Sequence, residues 1–202
     1  MALNLKKGQK VDLTKKGETL GKLLVGLGWD PVKPEQKGGF FQKLFSAGVP
    51  DFDLDASVLM LQDGDKLKLD SDTVYFGKLK SNCMSVIHQG DNLTGEGEGD
   101  DEQIKVDLSK TPDQYKKLLF VVNIYSGKSR NQHFGMIKNC YIRIYDETNR
   151  KELVRYNISE SNDNKTALEV AAVERGPEGW QFKALGEGTN DESLSDIMAR
   201  YR

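Results

Sequence analysis

The apolar residues of this chain come in short runs, and that limits its fold more than any other feature. The runs are Leu23–Leu27, Phe52–Leu61, Thr73–Phe76, Met84–Ile87, Ile104–Leu108, Leu118–Tyr125, Cys140–Tyr145, Leu153–Ile158, Ala167–Val173 and Trp180–Ala184. Each is about 4–10 residues long and rich in Val, Ile, Phe and Tyr, with Gly, Asn, Asp or Pro in the gaps. In Gln103–Leu108, Ile104, Val106 and Leu108 point one way, and Lys105 and Asp107 the other. Tyr141–Tyr145 alternates in the same manner, and Arg175-Gly176-Pro177-Glu178-Gly179 reads as a hairpin turn. Helical signals are few. Thr111–Gln114 opens like a single capped turn, and Asp191–Tyr201 carries Leu194, Ile197, Met198 and Tyr201 at helical spacing. The pattern predicts an all-β fold: a two-sheet antiparallel β-sandwich with a few short helices, including one at the C-terminus. No repeat or linker divides the 202 residues, so a single domain over 1–202 is expected.

Composition narrows the function classes. The longest unbroken apolar run, Leu118–Val122, falls far short of the roughly 20 residues of a membrane-spanning helix. The N-terminus lacks the apolar stretch of a secretory signal, so a soluble, cytoplasmic chain is expected. With 29 Lys+Arg against 31 Asp+Glu, no basic face for nucleic acid is indicated. Cys83 and Cys140 have no partner motif and read as buried thiols; Trp29 and Trp180 read as core aromatics. His88 and His133 have no nucleophile near them in sequence and read as surface or hydrogen-bonding residues. No Gly-x-Ser-x-Gly elbow is present, and an enzyme is not expected.

The chemistry concentrates in acidic segments. From Asp91 to Glu102 the chain holds six acids, no basic residue, and Gly at 95, 97 and 99. Two unit charges ~4 Å apart repel by about 4 kcal/mol at an effective dielectric near 20. Compacting this loop therefore requires cations or wide separation, and Ca²⁺, a hard ion taking carboxylate and carbonyl oxygens, suits it. The segment is not an EF-hand, because position 3 is Leu93 and Gly95 falls at position 5. A solubilising acidic hairpin is the plain alternative. A second cluster places Asp51, Asp53, Asp55 and Ser57 on one face of a strand, with Phe52, Leu54, Ala56 and Val58 on the other. Carboxylates about 6.6–6.8 Å apart on one face invite a counter-cation; a solvent-facing acidic edge is the alternative. The Gly95–Gly99 glycines suggest a phosphate cradle only if bound Ca²⁺ reverses the local sign.

These segments resemble the TerD family, named for tellurite resistance and including bacterial general-stress proteins. The resemblance rests on Leu24-Val25-Gly26-Leu27-Gly28-Trp29-Asp30, Phe52-Asp53-Leu54-Asp55-Ala56-Ser57 and the whole of Gly90–Glu102. Phe120-Val121-Val122, Asn131-Gln132-His133-Phe134-Gly135 and Tyr141-Ile142-Arg143 continue it, in order, from Leu5 to about Gly188. It implies a β-sandwich binding two Ca²⁺ ions at one edge, with Asp53, Asp55, Asp91, Asn92, Thr94, Gly95, Asp100, Asp101 and Glu102 as the site. Asp30 is a weaker candidate, and Glu96 and Glu98 are left open. The family's connection between Asp30 and Asp51 is often shorter, which marks an inserted loop at about 33–50. Its Phe40, Phe41, Leu44 and Phe45 either pack on the core, form a lid, or meet a partner or membrane surface. The implied function is a calcium-binding stress-response protein, a Ca-dependent sensor or interaction module. Its expected partners are calcium and other proteins of a stress-response complex, with no direct nucleic acid. The alternative is a metal-assisted phosphoester hydrolase or nucleotide-binding protein using the same acidic site.

Overall fold

The computed structural model describes residues 2–14, 21–31, 52–90, 99–158 and 161–202. In chain order its strands are β1 (Leu3–Leu5), β2 (Lys10–Asp12), β3 (Lys22–Pro31), β4 (Leu54–Leu61), β5 (Thr73–Val74) and β6 (Val86–His88). They continue with β7 (Glu102–Asp107), β8 (Lys117–Ile124), β9 (Ile137–Asp146), β10 (Glu152–Asn157), β11 (Ala167–Gly176) and β12 (Gly179–Thr189), before helix α1 (Leu194–Ala199). They form two six-stranded sheets, ordered β1-β10-β9-β3-β7-β6 and β2-β12-β11-β8-β4-β5. Every named pairing is antiparallel except β1 with β10, which is parallel.

Every expected apolar run overlaps a strand, and in the first sheet the strands bury one alternating face. On β7, Ile104 and Val106 are buried while Lys105 and Asp107 are only partly covered; on β9, Ile142 and Ile144 are buried between partly exposed Tyr141, Arg143 and Tyr145. Each fully buried Leu, Ile, Val or Phe side chain is worth about 1.5–3 kcal/mol. Strands β1 and β2 were not legible. At three residues each they carry no periodicity, and β1 is largely exposed, held by its ladder rather than by burial. The hairpin turn between β11 and β12 stands, closing on the Gly176–Gly179 pair with φ +135° at Gly179.

The second sheet is buried on both faces. Leu54, Ala56, Val58 and Met60 of β4 join the core between the sheets. Leu59 and Leu61, with Leu119 and Val121 of β8, pack instead beneath Ile197 and Met198 of α1. The helix is shorter than Asp191–Tyr201. Ser193 caps it, its Oγ accepting from the Asp196 N–H, while Asp191 is drawn out of the helix by Thr189 and Arg200. The Thr111–Gln114 turn is present, closed by Tyr115 N–H donating to the Pro112 carbonyl, and a 3-10 turn at Leu108–Lys110 precedes it. Trp29, Trp180 and Cys140 are buried, whereas Cys83 is half-exposed, because it sits in a turn between Ser81 and Ser85. No helix among the described residues is long and apolar enough to cross a membrane.

Candidate functional site

Three consecutive acids at the start of β7 go to three different places. The alternation that buries Ile104 and Val106 also turns Glu102 inward, leaving it 2% exposed. Strand β5 pairs only with Val58 and Leu59, so the Ala56 N–H at the open edge of β4 is available to a carboxylate. Glu102 Oε2 accepts that N–H at 3.0 Å and lies 3.1 Å from His88 Nε2. His88 Nδ1 accepts from the Gly90 N–H at 3.1 Å, so the ring proton resides on Nε2 and is donated to Glu102. His88 is thus a buried hydrogen-bonding residue that ties β6 to β7.

Asp100 lies on the outer face of the first sheet. Arg143 Nε donates to its Oδ1 at 2.6 Å, and Tyr141 Oη and Gln103 Nε2 approach it at 3.2 Å. Tyr141 Oη also donates to the Gly99 carbonyl at 2.6 Å. The carboxylate rests on Gly26, where a Cβ would overlap it, and the Tyr141 ring rests on Gly28 in the same way. Burial, reinforced by the Asp100 charge, pushes the Tyr141 phenol up to about 12, so it remains a donor. The Arg143 guanidinium also stacks between the Tyr141 and Tyr145 rings, 5.3 and 4.9 Å from their centroids. Together these contacts latch the C-terminal end of the acidic loop to the sheet.

Asp101 stands at the sheet's end. The β3–β7 ladder ends at Leu27, so on that edge the Trp29 N–H donates to Asp101 Oδ2 at 2.8 Å, beside a β3–β9 bulge between Gly28 and Asp30. Burial raises the Asp101 pKa, and the charges of Asp30 and Asp100 add to it. Asp30 itself is exposed and accepts from Asn139 Nδ2 at 2.7 Å. Buried Cys140 lies close enough to feel Asp101; burial first, and that charge second, push its thiol up to about 12. It is therefore no thiolate ligand at neutral pH.

On β4 the expected alternation holds. Phe52, Leu54, Ala56 and Val58 face the core, while Asp55 and Ser57 point to the outer side of the second sheet, Asp55 opposite Asn123 of β8. Asp53 precedes the strand, its carbonyl accepting from the Tyr125 N–H at 2.8 Å. The structure therefore couples Asp30, Asp100 and Asp101 at one end of the first sheet, brings Glu102 against β4, and sends Asp55 to the opposite outer face. Asp91, Asn92, Thr94 and Gly95 lie outside the described residues, as do Asp51 and the 33–50 insertion. Among the described residues, no group of three or more His, Cys, Asp or Glu side chains converges in metal-holding geometry. Asp30 and Asp101 offer oxygen donors only, the kind a hard cation takes, whereas Asp100 is already paired with Arg143.

Gly26, Tyr141, Arg143 and His88 were missing from the expected site. Gly26 and Gly28 did signal it, as residues without side chains at alternate positions of a strand on which something must lie.

Comparison with known proteins agrees with this architecture. The TerD domain matches residues 1–201. The stress response protein SCP2 of Bacillus subtilis (strain 168) is 52% identical over 201 residues, covering 100% of both chains. The tellurium resistance protein TerD of Serratia marcescens is 36% identical over 201 residues, 100% of this chain and 97% of the other. The solved structure of a homologue of the telluride resistance protein TerD from Streptomyces coelicolor A3(2) superposes with a TM-score of 0.61 at 20% identity. That match covers 87% of this chain and 94% of the other, and shares the fold. A two-sheet sandwich with an acid-rich segment preceding β7 in the sequence, matched over residues 1–201 by this domain, places the chain in the TerD family.

Proposed function

We propose that this TerD-family protein is a calcium-binding, non-enzymatic module whose exposed loop surface is organised by the ion and presented to partners of a stress response. The observation supporting the reading is the crowding at the end of β3 and β7. Asp101 is desolvated against a backbone N–H, with Asp30 and Asp100 raising its proton affinity, and it belongs to a 91–102 segment that carries six acids. Asp53, Asp101 and the loop residues Asp91, Asn92, Thr94 and Gly95 would hold the ion, with Asp30 at the margin; Asp55, which faces the outer side of the second sheet, is not part of this set. When bound, Ca²⁺ supplies two positive charges that offset this repulsion. The chain's own residues do the positioning: Arg143 and Tyr141 hold Asp100, Trp29 N–H orients Asp101, and Glu102 anchors the loop's end between the sheets.

Calcium titration by calorimetry, alongside thermal melting in chelator, tests the reading. An ion at 100 times its dissociation constant adds about 2.7 kcal/mol of stability. No heat at millimolar calcium and an unchanged melting temperature would reject it. Phosphoester turnover that depends on metal and is lost in Asp53→Ala would replace it with the hydrolase reading.

A further inference from the structure

The segment between β4 and β6 crosses from the second sheet to the first, and it carries apolar side chains where local chemistry asks for others. Leu69 precedes the 3-10 turn Asp70–Asp72 at the position a Ser or Asp side chain would cap, and it makes no capping bond. Met84 sits at φ +59°, a conformation that favours Gly or Asn. Phe76 and Gly77 form the tip of a tight turn closed by Tyr75 and Lys78, whose backbones exchange both hydrogen bonds. Leu69, Phe76, Leu79 and Met84 are between 41% and 60% exposed. Four such side chains within residues 69–84 make a patch rather than scattered exposure.

The turns that carry them are held side by side. Lys78 Nζ donates to the Ser71 carbonyl and, at 3.2 Å, to Asn82 Oδ1, while Asn82 Nδ2 donates to Ser71 Oγ at 3.4 Å. Each of the four apolar residues lies within two positions of that junction. The cations around it lack counter-charges. Lys68, Lys78 and Lys80 form no ion pair among the described residues, where Asp70 is taken by Arg202 and buried Asp72 accepts from Tyr115.

The shape selects the occupant. The outer edge of β6 is already closed by this segment, with His88 N–H donating to the Leu79 carbonyl at 2.8 Å and Lys80 bridging Ile87. A partner's strand therefore cannot add to β6. What remains is apolar tips on projecting turns among unpaired ammonium groups, which fits a surface that is anionic at its skin and apolar just beneath.

We propose that residues 68–84 dock this protein on an anionic lipid bilayer. Leu69, Phe76, Leu79 and Met84 enter the boundary between headgroups and acyl chains, and Lys68, Lys78 and Lys80 meet the lipid phosphates. Each lysine contributes about fivefold in affinity, and salt screens that contribution. Docking needs no calcium, since none of these residues belongs to the proposed ion set.

The whole protein is sedimented in chelator with vesicles of phosphatidylglycerol and phosphatidylcholine in equal parts, beside vesicles of phosphatidylcholine alone. Partition to the anionic vesicles, its absence with the neutral ones and its loss as salt rises support the proposal. Lys68→Glu with Lys80→Glu lowers the partition coefficient by at least about tenfold. Phe76→Ser with Leu79→Ser also lowers it, at unchanged net charge, while Lys151→Glu on the exposed turn between β9 and β10 leaves it unchanged. Thermal melting checks the fold of each variant; should the double serine variant not fold, Leu69→Ser takes its place. Absence of partition to anionic vesicles overturns the proposal, as does equal binding to neutral ones. Binding that the lysine variants weaken and the serine variants leave intact also overturns it, since that marks a site for any polyanion.

Discussion

A carboxylate is worth what surrounds it, and Asp100, Asp101 and Glu102 show this within three residues. Asp100 is 2% exposed at its side chain and bonded to Arg143, so Arg143→Gln strands a covered charge. The expected loss is about 1–3 kcal/mol in urea denaturation, measured in chelator. Gly26→Ala drives a methyl into the same carboxylate and should displace Asp100, mimicking Arg143→Gln. Asp101 behaves oppositely. Its raised pKa reports a charge that burial and its neighbours disfavour, while an amide would still accept from Trp29. Asp101→Asn is therefore expected to leave melting in chelator unchanged or slightly raised, and to shrink the rise produced by calcium. A fall in chelator would show that Asp101 is fully compensated without an ion. Aspartates 53, 55, 100 and 101 were all recognisable in sequence as acids of interest. Their separate environments were not, since a bulge at Trp29 and a guanidinium from β9 set them.

At the scale of elements, α1 decides which half of the second sheet is apolar. Six residues do not make a helix stable by themselves; Ile197 and Met198 hold it against Leu59, Leu61, Leu119 and Val121. Ile197→Ala is expected to cost about 2–4 kcal/mol and to release the C-terminal residues to protease before the sheets unfold. The turn at Pro112 shows a second dependence. Tyr115 Oη donates to Asp72 Oδ1 at 2.7 Å, joining the turn before β8 to the 3-10 turn before β5. Burial first, then that bond, push the phenol up to about 12. Tyr115→Phe leaves a buried carboxylate without its donor and should cost about 1.5–3 kcal/mol by urea titration. Periodicity announced β7, β9 and α1 because each keeps one apolar face. It was silent on β1 and β2, whose three residues owe their conformation to the ladders of β10 and β12.

At the scale of the molecule, the two sheets share one core that takes residues from almost every strand. Unfolding in chelator is therefore expected as a single cooperative transition seen alike by fluorescence and circular dichroism. Calcium should shift its midpoint without dividing it. The sequence by itself determined the sandwich, the C-terminal helix, the hairpin turn and the acid-rich segments, because strand alternation and charge are local properties of neighbouring residues. Only the tertiary structure decided that Asp100 is latched beneath Arg143, that Glu102 faces inward to His88, and that Asp55 stands opposite Asn123 on the outer side of the second sheet. Those outcomes depend on register between strands far apart in the chain. A one-residue shift in pairing exchanges the two faces of a strand, and no local pattern records which partner will lie opposite.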